Sequence, residues 1–329
     1  MNRHEQLARG CETRLIATNG VTCRVVTRGD GPLVLMVHGF PELWSSWRHQ
    51  FAPIADAGFL TAAMDVRGYG GSSKPHPIDA YDLKHLAGDV AGLIDILGGG
   101  RAVLVGHDWG AAIVYAAAFL YPEKIRGIAG LAAPFLPPLP APPISLMHEV
   151  FKDRFFYQLY FQTEGVAERE FQRDIRTWFR KFFYALSGDA GEDRFRFTRP
   201  EADADLVSAL PYPERMPKWF SHEEEDYWVD NFTASGLRGP LNRYRCVDRD
   251  WHDLKPFAER KIPQPSLFIG GAKDPVRSMN PATDGYAAAH ERLADCRGIH
   301  IVDGAGHWVQ QEAPEPANRY LIAFLKGLD

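Results

Sequence analysis

With 329 residues, 45% hydrophobic and 24% charged, the chain has the composition of a folded globular protein and room for a core carrying a sizeable insertion. A net charge of −5, from 42 acids against 37 bases with no basic stripe, excludes nucleic acid as an expected partner. No apolar run approaches the ~18 residues that span a bilayer, the first ten residues hold no apolar signal core, and Cys11, Cys23, Cys246 and Cys296 form neither a C-x-x-C pair nor a zinc-like pattern; we expect a cytoplasmic protein with reduced cysteines and no metal.

Residues 21–27 (VTCRVVT) alternate and are β-branched, as a strand would be. Residues 33–37 (LVLMV) form a short apolar run, the pattern of a strand buried on both faces, and 59–66, 102–106 and 127–132 repeat it. Helix-like stretches lie at 84–97 and 110–121. Strands alternating with helices imply a mostly parallel sheet covered on both sides. After Ala133 the alternation stops. Residues 134–143 (PFLPPLPAPP) hold six prolines and read as a stiff linker. From there to residue 260 the pattern is helical and aromatic, and a run of acids, Glu223 to Asp226, after Ser221 reads as a capped, solvated helix start. Strand-like runs resume at 266–270 and 298–302, followed by a helix-like stretch at 313–327. We therefore expect a core of residues 1–133 and 261–329, with 134–260 inserted as a helical lid over the carboxyl ends of the strands, where open α/β sheets bind ligands.

Candidate chemistry begins at Gly106-His107-Asp108-Trp109-Gly110, between an apolar strand and a small-residue helix. This is the context of a nucleophile elbow, with Asp108 where serine is commoner. A carboxylate is ionised at neutral pH without a base and can displace a strained or good leaving group at sp³ carbon, leaving an alkyl-enzyme ester. The elbow's partners follow in the order acid, then histidine. Asp274 stands just past the strand at 266–270, and His307 in a glycine-rich turn past the strand at 298–302; Asp303, at the strand end of that same loop, ranks second as the acid. Backbone donors for an oxyanion would be the amides of Trp109 and of Phe40, in the loop His38-Gly39-Phe40-Pro41, where a cis Phe40–Pro41 bond would fit the tight turn. No G-x-S-x-G, H-E-x-x-H, Walker or dinucleotide-binding motif is present, so no cofactor is expected.

HGFPELWSSWRHQ at 38–50, DVRGYGGSS at 65–73, GHDWG at 106–110, GGAKDP at 270–275 and GAGHW at 304–308 together resemble the soluble-type epoxide hydrolases of the α/β-hydrolase fold, over about residues 15–325. The resemblance implies a mostly parallel eight-stranded sheet with helices on both faces and an inserted helical lid. It implies hydrolysis of an epoxide to a vicinal diol through an ester on Asp108, with His307, oriented by Asp274, activating water. In that family, segments similar to FYQLYFQ (156–162) and GLRGPLNRYR (236–245) each carry a tyrosine that binds the epoxide oxygen, which points to Tyr157, with Tyr160 as its neighbour, and to Tyr244. Phenols are protonated at neutral pH and can donate to a developing alkoxide. Phe40, Trp109 and Trp308, with the lid aromatics, suggest an apolar substrate pocket. Haloalkane dehalogenases also use aspartate in such an elbow, but Phe40 stands where a halide-binding asparagine would be expected. A ligand sensor on the same fold is the non-enzymatic alternative, and oligomerisation is left open.

Overall fold

The apolar runs become strands, and their order decides where a site can form. The computed structural model describes residues 7–136, 139–199, 205–279 and 284–328. One sheet holds eight strands: β1 (Glu12–Thr18), β2 (Val21–Arg28), β3 (Leu33–Val37), β4 (Leu60–Met64), β5 (Ala102–His107), β6 (Ile125–Leu131), β7 (Ile262–Gly271) and β8 (Leu293–Val302). Their spatial order is β1-β2-β4-β3-β5-β6-β7-β8. The β1/β2 and β2/β4 pairs are antiparallel and every other pair is parallel. Every residue of β3 and β5 is buried, which is why both read as unbroken apolar runs. From β3 the chain moves outward to β4, then crosses back to β5 on the other side of β3. The carboxyl ends of β3 and β5 therefore lie side by side where the strand order reverses, the place where open α/β sheets form a ligand crevice.

The sequence reading had no β1. Only Ile16 of that edge strand is buried, so no alternation marks it. The signal that could have found it is Asn19-Gly20, whose φ values of 47° and 77° form the two-residue hairpin turn into β2.

The helices are α1 (Phe51–Asp56), α2 (Leu83–Leu97) and α3 (Trp109–Leu120); then, between β6 and β7, α4 (Pro143–Val150), α5 (Tyr157–Tyr160), α6 (Val166–Arg173), α7 (Ile175–Leu186), α8 (His222–Ser235), α9 (Arg238–Arg245) and α10 (Val247–Leu254); and finally α11 (Val309–Glu312) and α12 (Pro314–Lys326). Within the proline-rich stretch, residues 137 and 138 lie outside the described residues, and Pro143 already opens α4. None of the helices among the described residues is long and apolar enough to cross a membrane.

The segment between β6 and β7 is tied to the sheet's loops by polar contacts. Arg48 pairs with Glu224 and donates to the carbonyl of Trp219 (2.6 Å) and to Gln311 (2.7 Å). The indole of Trp44 donates to the Tyr227 hydroxyl (2.8 Å), and that of Trp228 to Ser45 (3.0 Å). These contacts correct the reading of residues 223–226. Ser221 and Glu224 do form a capping box at the start of α8, but Glu224 and Glu225 are buried. Arg48 neutralises the first; Arg176 and Arg180 neutralise the second.

Candidate active site

The elbow is built by backbone contact. Asp108 has φ 52° and ψ −122°, which costs a non-glycine residue on the order of 1–3 kcal/mol and persists only where the surroundings impose it. Here they do: a Cβ on Gly106 would stand 2.3 Å from the carbonyl oxygen of Gly110, and one on Gly110 would stand 2.0 Å from that of Val37. β5, α3 and β3 thus approach more closely than any side chain allows. The turn lifts the Asp108 carboxyl above the strand ends, where its side chain stays 22% exposed. The Phe40 amide, following β3 and preceding a cis bond to Pro41, donates to Oδ1 of Asp108 at 2.8 Å. Trp109 opens α3, and its amide makes no hydrogen bond to the carboxylate among the described residues.

The other carboxylate oxygen faces the histidine. His307 Nε2 lies 3.6 Å from Asp108 Oδ2, and its Nδ1 lies 3.0 Å from Asp274 Oδ2. Asp274 caps the turn after β7: Val276 donates to its Oδ1 at 2.8 Å, and the Tyr286 hydroxyl donates to its Oδ2. Asp303, the second-ranked acid, is exposed and is not the partner of His307. Burial opposes the His307 cation, but the charges of Asp274 and Asp108 outweigh it and raise its pKa well above the usual histidine value. Burial likewise opposes ionisation of Asp108, yet the His307 ring and the Phe40 amide hold its carboxyl below the usual range.

Tyr157 of α5 and Tyr244 of α9 meet over the elbow with ring centroids 6.1 Å apart. The Tyr244 ring is 5.2 Å from that of Phe40 and 5.1 Å from that of Trp109, both edge-on. Burial, reinforced by the charge of Asp108, raises both phenol pKa values. Tyr160 points elsewhere, donating to Glu170 at 2.6 Å. A cavity of about 540 Å³ adjoins this cluster with Trp109 as the shared wall; Leu83, Tyr115, Phe119, Phe135 and Trp251 also line it. The Trp308 indole is fully buried, lies 4.8 Å from the His307 ring, stacks on Phe183 at 4.3 Å and donates to the Phe183 carbonyl at 2.9 Å. The sequence put it near the site, but the orientation depends on an aromatic partner 125 residues away.

Comparison with known proteins shows the family. Residues 32–314 match the model of the alpha/beta hydrolase fold family. The chain is 42% identical to epoxide hydrolase A of Mycobacterium tuberculosis over 319 residues, covering 96% of this chain and 98% of that protein. Crystal-structure similarity is as extensive: epoxide hydrolase A from Mycobacterium thermoresistibile superposes with a TM-score of 0.90 at 42% identity, over 97% of this chain and 99% of that one. An epoxide hydrolase from an endophytic Streptomyces gives 0.92 at 41% identity, over 97% and 96%. The chain belongs to the epoxide hydrolase family of the α/β-hydrolase fold.

As an epoxide hydrolase relative, the chain also has a buried polar network that the sequence reading did not assign. Glu42, from the HGFPE motif, accepts from the Gly39 amide at 2.9 Å and lies 2.6 Å from His107 Nδ1. His107 Nε2 in turn lies 2.8 Å from the carbonyl oxygen of His307, so one carboxylate braces the Phe40 loop, the elbow and the histidine loop together. Gln310 and Gln311 complete Glu42 from α11, each at 3.1 Å. Tyr286 is the other omission. The motif signal covered Glu42 and His107, but nothing local marks a tyrosine twelve residues beyond Asp274 as its partner.

Proposed function

We propose that the protein hydrolyses a lipophilic epoxide to a vicinal diol in two covalent steps, with Asp108 as nucleophile and the 134–260 segment as the lid that carries the acids. The observation that carries the reading is the unequal treatment of the Asp108 oxygens: Oδ1 is engaged by the Phe40 amide, and Oδ2 faces His307 near a pair of phenols, Tyr244 buried and Tyr157 half-buried. Oδ2 attacks one epoxide carbon as its C–O bond breaks, and Tyr157 or Tyr244 gives the departing oxygen its proton. The resulting ester keeps Oδ1 as its carbonyl oxygen, already in place for stabilisation by the Phe40 and Trp109 amides in the next step.

Hydrolysis follows with His307 taking a proton from water as the hydroxide portion adds to the ester carbonyl carbon. Collapse expels the diol oxygen, which recovers that proton from His307. The new carboxylic acid at Asp108 releases its proton, restoring the ionised tyrosine. The steps are timed by charge. While Asp108 is an anion it raises the His307 pKa and favours the protonated ring; ester formation removes that charge, so the ring releases its proton to solvent and its unprotonated form, the one that can accept a proton from water, is populated after alkylation. The aromatic rings of Phe40, Trp109 and Tyr244 gathered at Asp108 support a lipophilic substrate.

The test is turnover of styrene oxide beside a matched bromoalkane. Diol without bromide, lost in Asp108→Asn, supports the reading; bromide without diol sinks it in favour of a dehalogenase. In His307→Gln, the Asp108 peptide should gain the mass of the hydroxyalkyl ester, and its failure to do so removes the two-step scheme.

A further inference from the structure

Glu312 lies outside the nucleophile, acid, histidine and tyrosine set, yet its carboxylate gathers three backbone donors. Oε2 accepts from the amides of Gly306 and Gly188, both at 2.8 Å, and Oε1 from the amide of Trp308 at 2.9 Å. Gly306 and Trp308 flank His307, and Gly188 belongs to the segment between β6 and β7, two residues past α7. The amide of His307 itself donates to Leu186, the last residue of α7, at 2.9 Å. All three consecutive amides of the histidine loop are therefore fixed either by Glu312 or by the lid.

The approach is close. A Cβ on Gly188 would stand 2.0 Å from the carbonyl oxygen of Gly304, and one on Gly306 would stand 2.3 Å from the amide nitrogen of Gly188. Lys273, beside Asp274, donates to the carbonyl of Gly188 at 3.2 Å. A carboxylate suits this cluster because it only accepts, whereas a glutamine would turn an NH₂ group towards an N–H. Burial pushes the Glu312 carboxyl up to about 7 against the lowering effect of its three N–H partners.

We propose that Glu312 is a positioning residue that holds His307 in register for ester hydrolysis by clasping its loop to the lid at Gly188. It touches no reacting atom. Its loss should slow the step that needs His307 and spare the step that needs only Asp108 and the tyrosines. This inference rests on the two-step reading above.

The experiment is single-turnover kinetics with styrene oxide, following the ester on the Asp108 peptide by mass spectrometry. Glu312→Gln should alkylate at the wild-type rate but hydrolyse the ester more slowly, by up to about 10²-fold, as expected when a catalytic group shifts by about 1 Å. The ester should then accumulate, as is expected in His307→Gln. Glu312→Asp should recover part of the rate, and Gly188→Ala, which leaves Glu312 intact but wedges the lid from the histidine loop, should also accumulate ester. Equal slowing of both steps in the folded variants, or wild-type hydrolysis in Glu312→Gln, overturns the proposal. Should Glu312→Gln not fold, the Gly188→Ala result decides it. Accumulation in His307→Gln without accumulation in the Glu312 and Gly188 variants refutes this inference alone; no accumulation in His307→Gln refutes the two-step reading itself.

Discussion

The elbow and the histidine loop hold their residues by different mixtures of contact. Asp108 is fixed by backbone meeting backbone, with Gly106 against Gly110 and Gly110 against Val37, and with a positive φ that the contacts impose. His307's loop also meets backbone, at Gly188 and Leu186, but it adds side chains that the elbow lacks: Asp274 on the ring, and Glu42, acting through His107, and Glu312 on the main chain. Backbone contact leaves little room for graded change, because a single added methyl must displace a strand or a helix. Side-chain contact can be weakened one hydrogen bond at a time.

The largest expected effect breaks the rigid half. Gly110→Ala drives a methyl into the Val37 carbonyl and should destabilise the protein by about 1–3 kcal/mol, the usual range for overpacking. It should also abolish diol formation by turning Asp108 away, and denaturant unfolding beside turnover separates the two. A Gly110→Ala enzyme with wild-type stability and rate would mean that the elbow is less constrained than its contacts imply.

A smaller effect sharpens the electrostatic side. Asp108→Asn removes one of the two charges that raise His307, so the ring's titration midpoint, followed by NMR, should fall while Asp274 keeps it above that of a solitary buried histidine. The sign for stability follows from the raised folded pKa. The contribution of His307 is complete below its unfolded value of about 6.5 and is lost as pH rises through the folded value. The gain from low pH should accordingly be smaller in the Asp108→Asn variant than in wild type, and an unchanged midpoint would show that Asp108 does not act on His307. The smallest effect is expected at Trp308→Phe, which removes the bond to the Phe183 carbonyl, worth about 1 kcal/mol, and leaves KM for styrene oxide unchanged. A raised KM would place Trp308 on the substrate wall.

The same division explains what could be read in advance. Asp108, Asp274 and His307 each stand at the end of an apolar run in a short glycine-containing motif, so local pattern and chain order place them. The alternating runs also carry the mostly parallel sheet. Tyr157 and Tyr244 were legible only through family resemblance, because a buried tyrosine in a helix looks the same whether it serves the core or a ligand. Residues whose meaning lies in distant partners escaped: Glu42 meets His107 across 65 positions, and Gly188 meets Glu312 across 124. Glu224 and Glu225 escaped for the same reason, since the Arg48, Arg176 and Arg180 that accompany their burial come from elsewhere, while Glu223 is exposed as its neighbours suggest.

A free carboxylate is symmetric, its two oxygens interchangeable by a half-turn. The Phe40 amide on Oδ1 removes that symmetry before any substrate arrives. The group then offers one oxygen along one line of approach, so the nucleophile contributes a fixed direction and no choice between mirror-image epoxides. Handedness in the diol is left to the walls, which decide the carbon that is turned towards Oδ2.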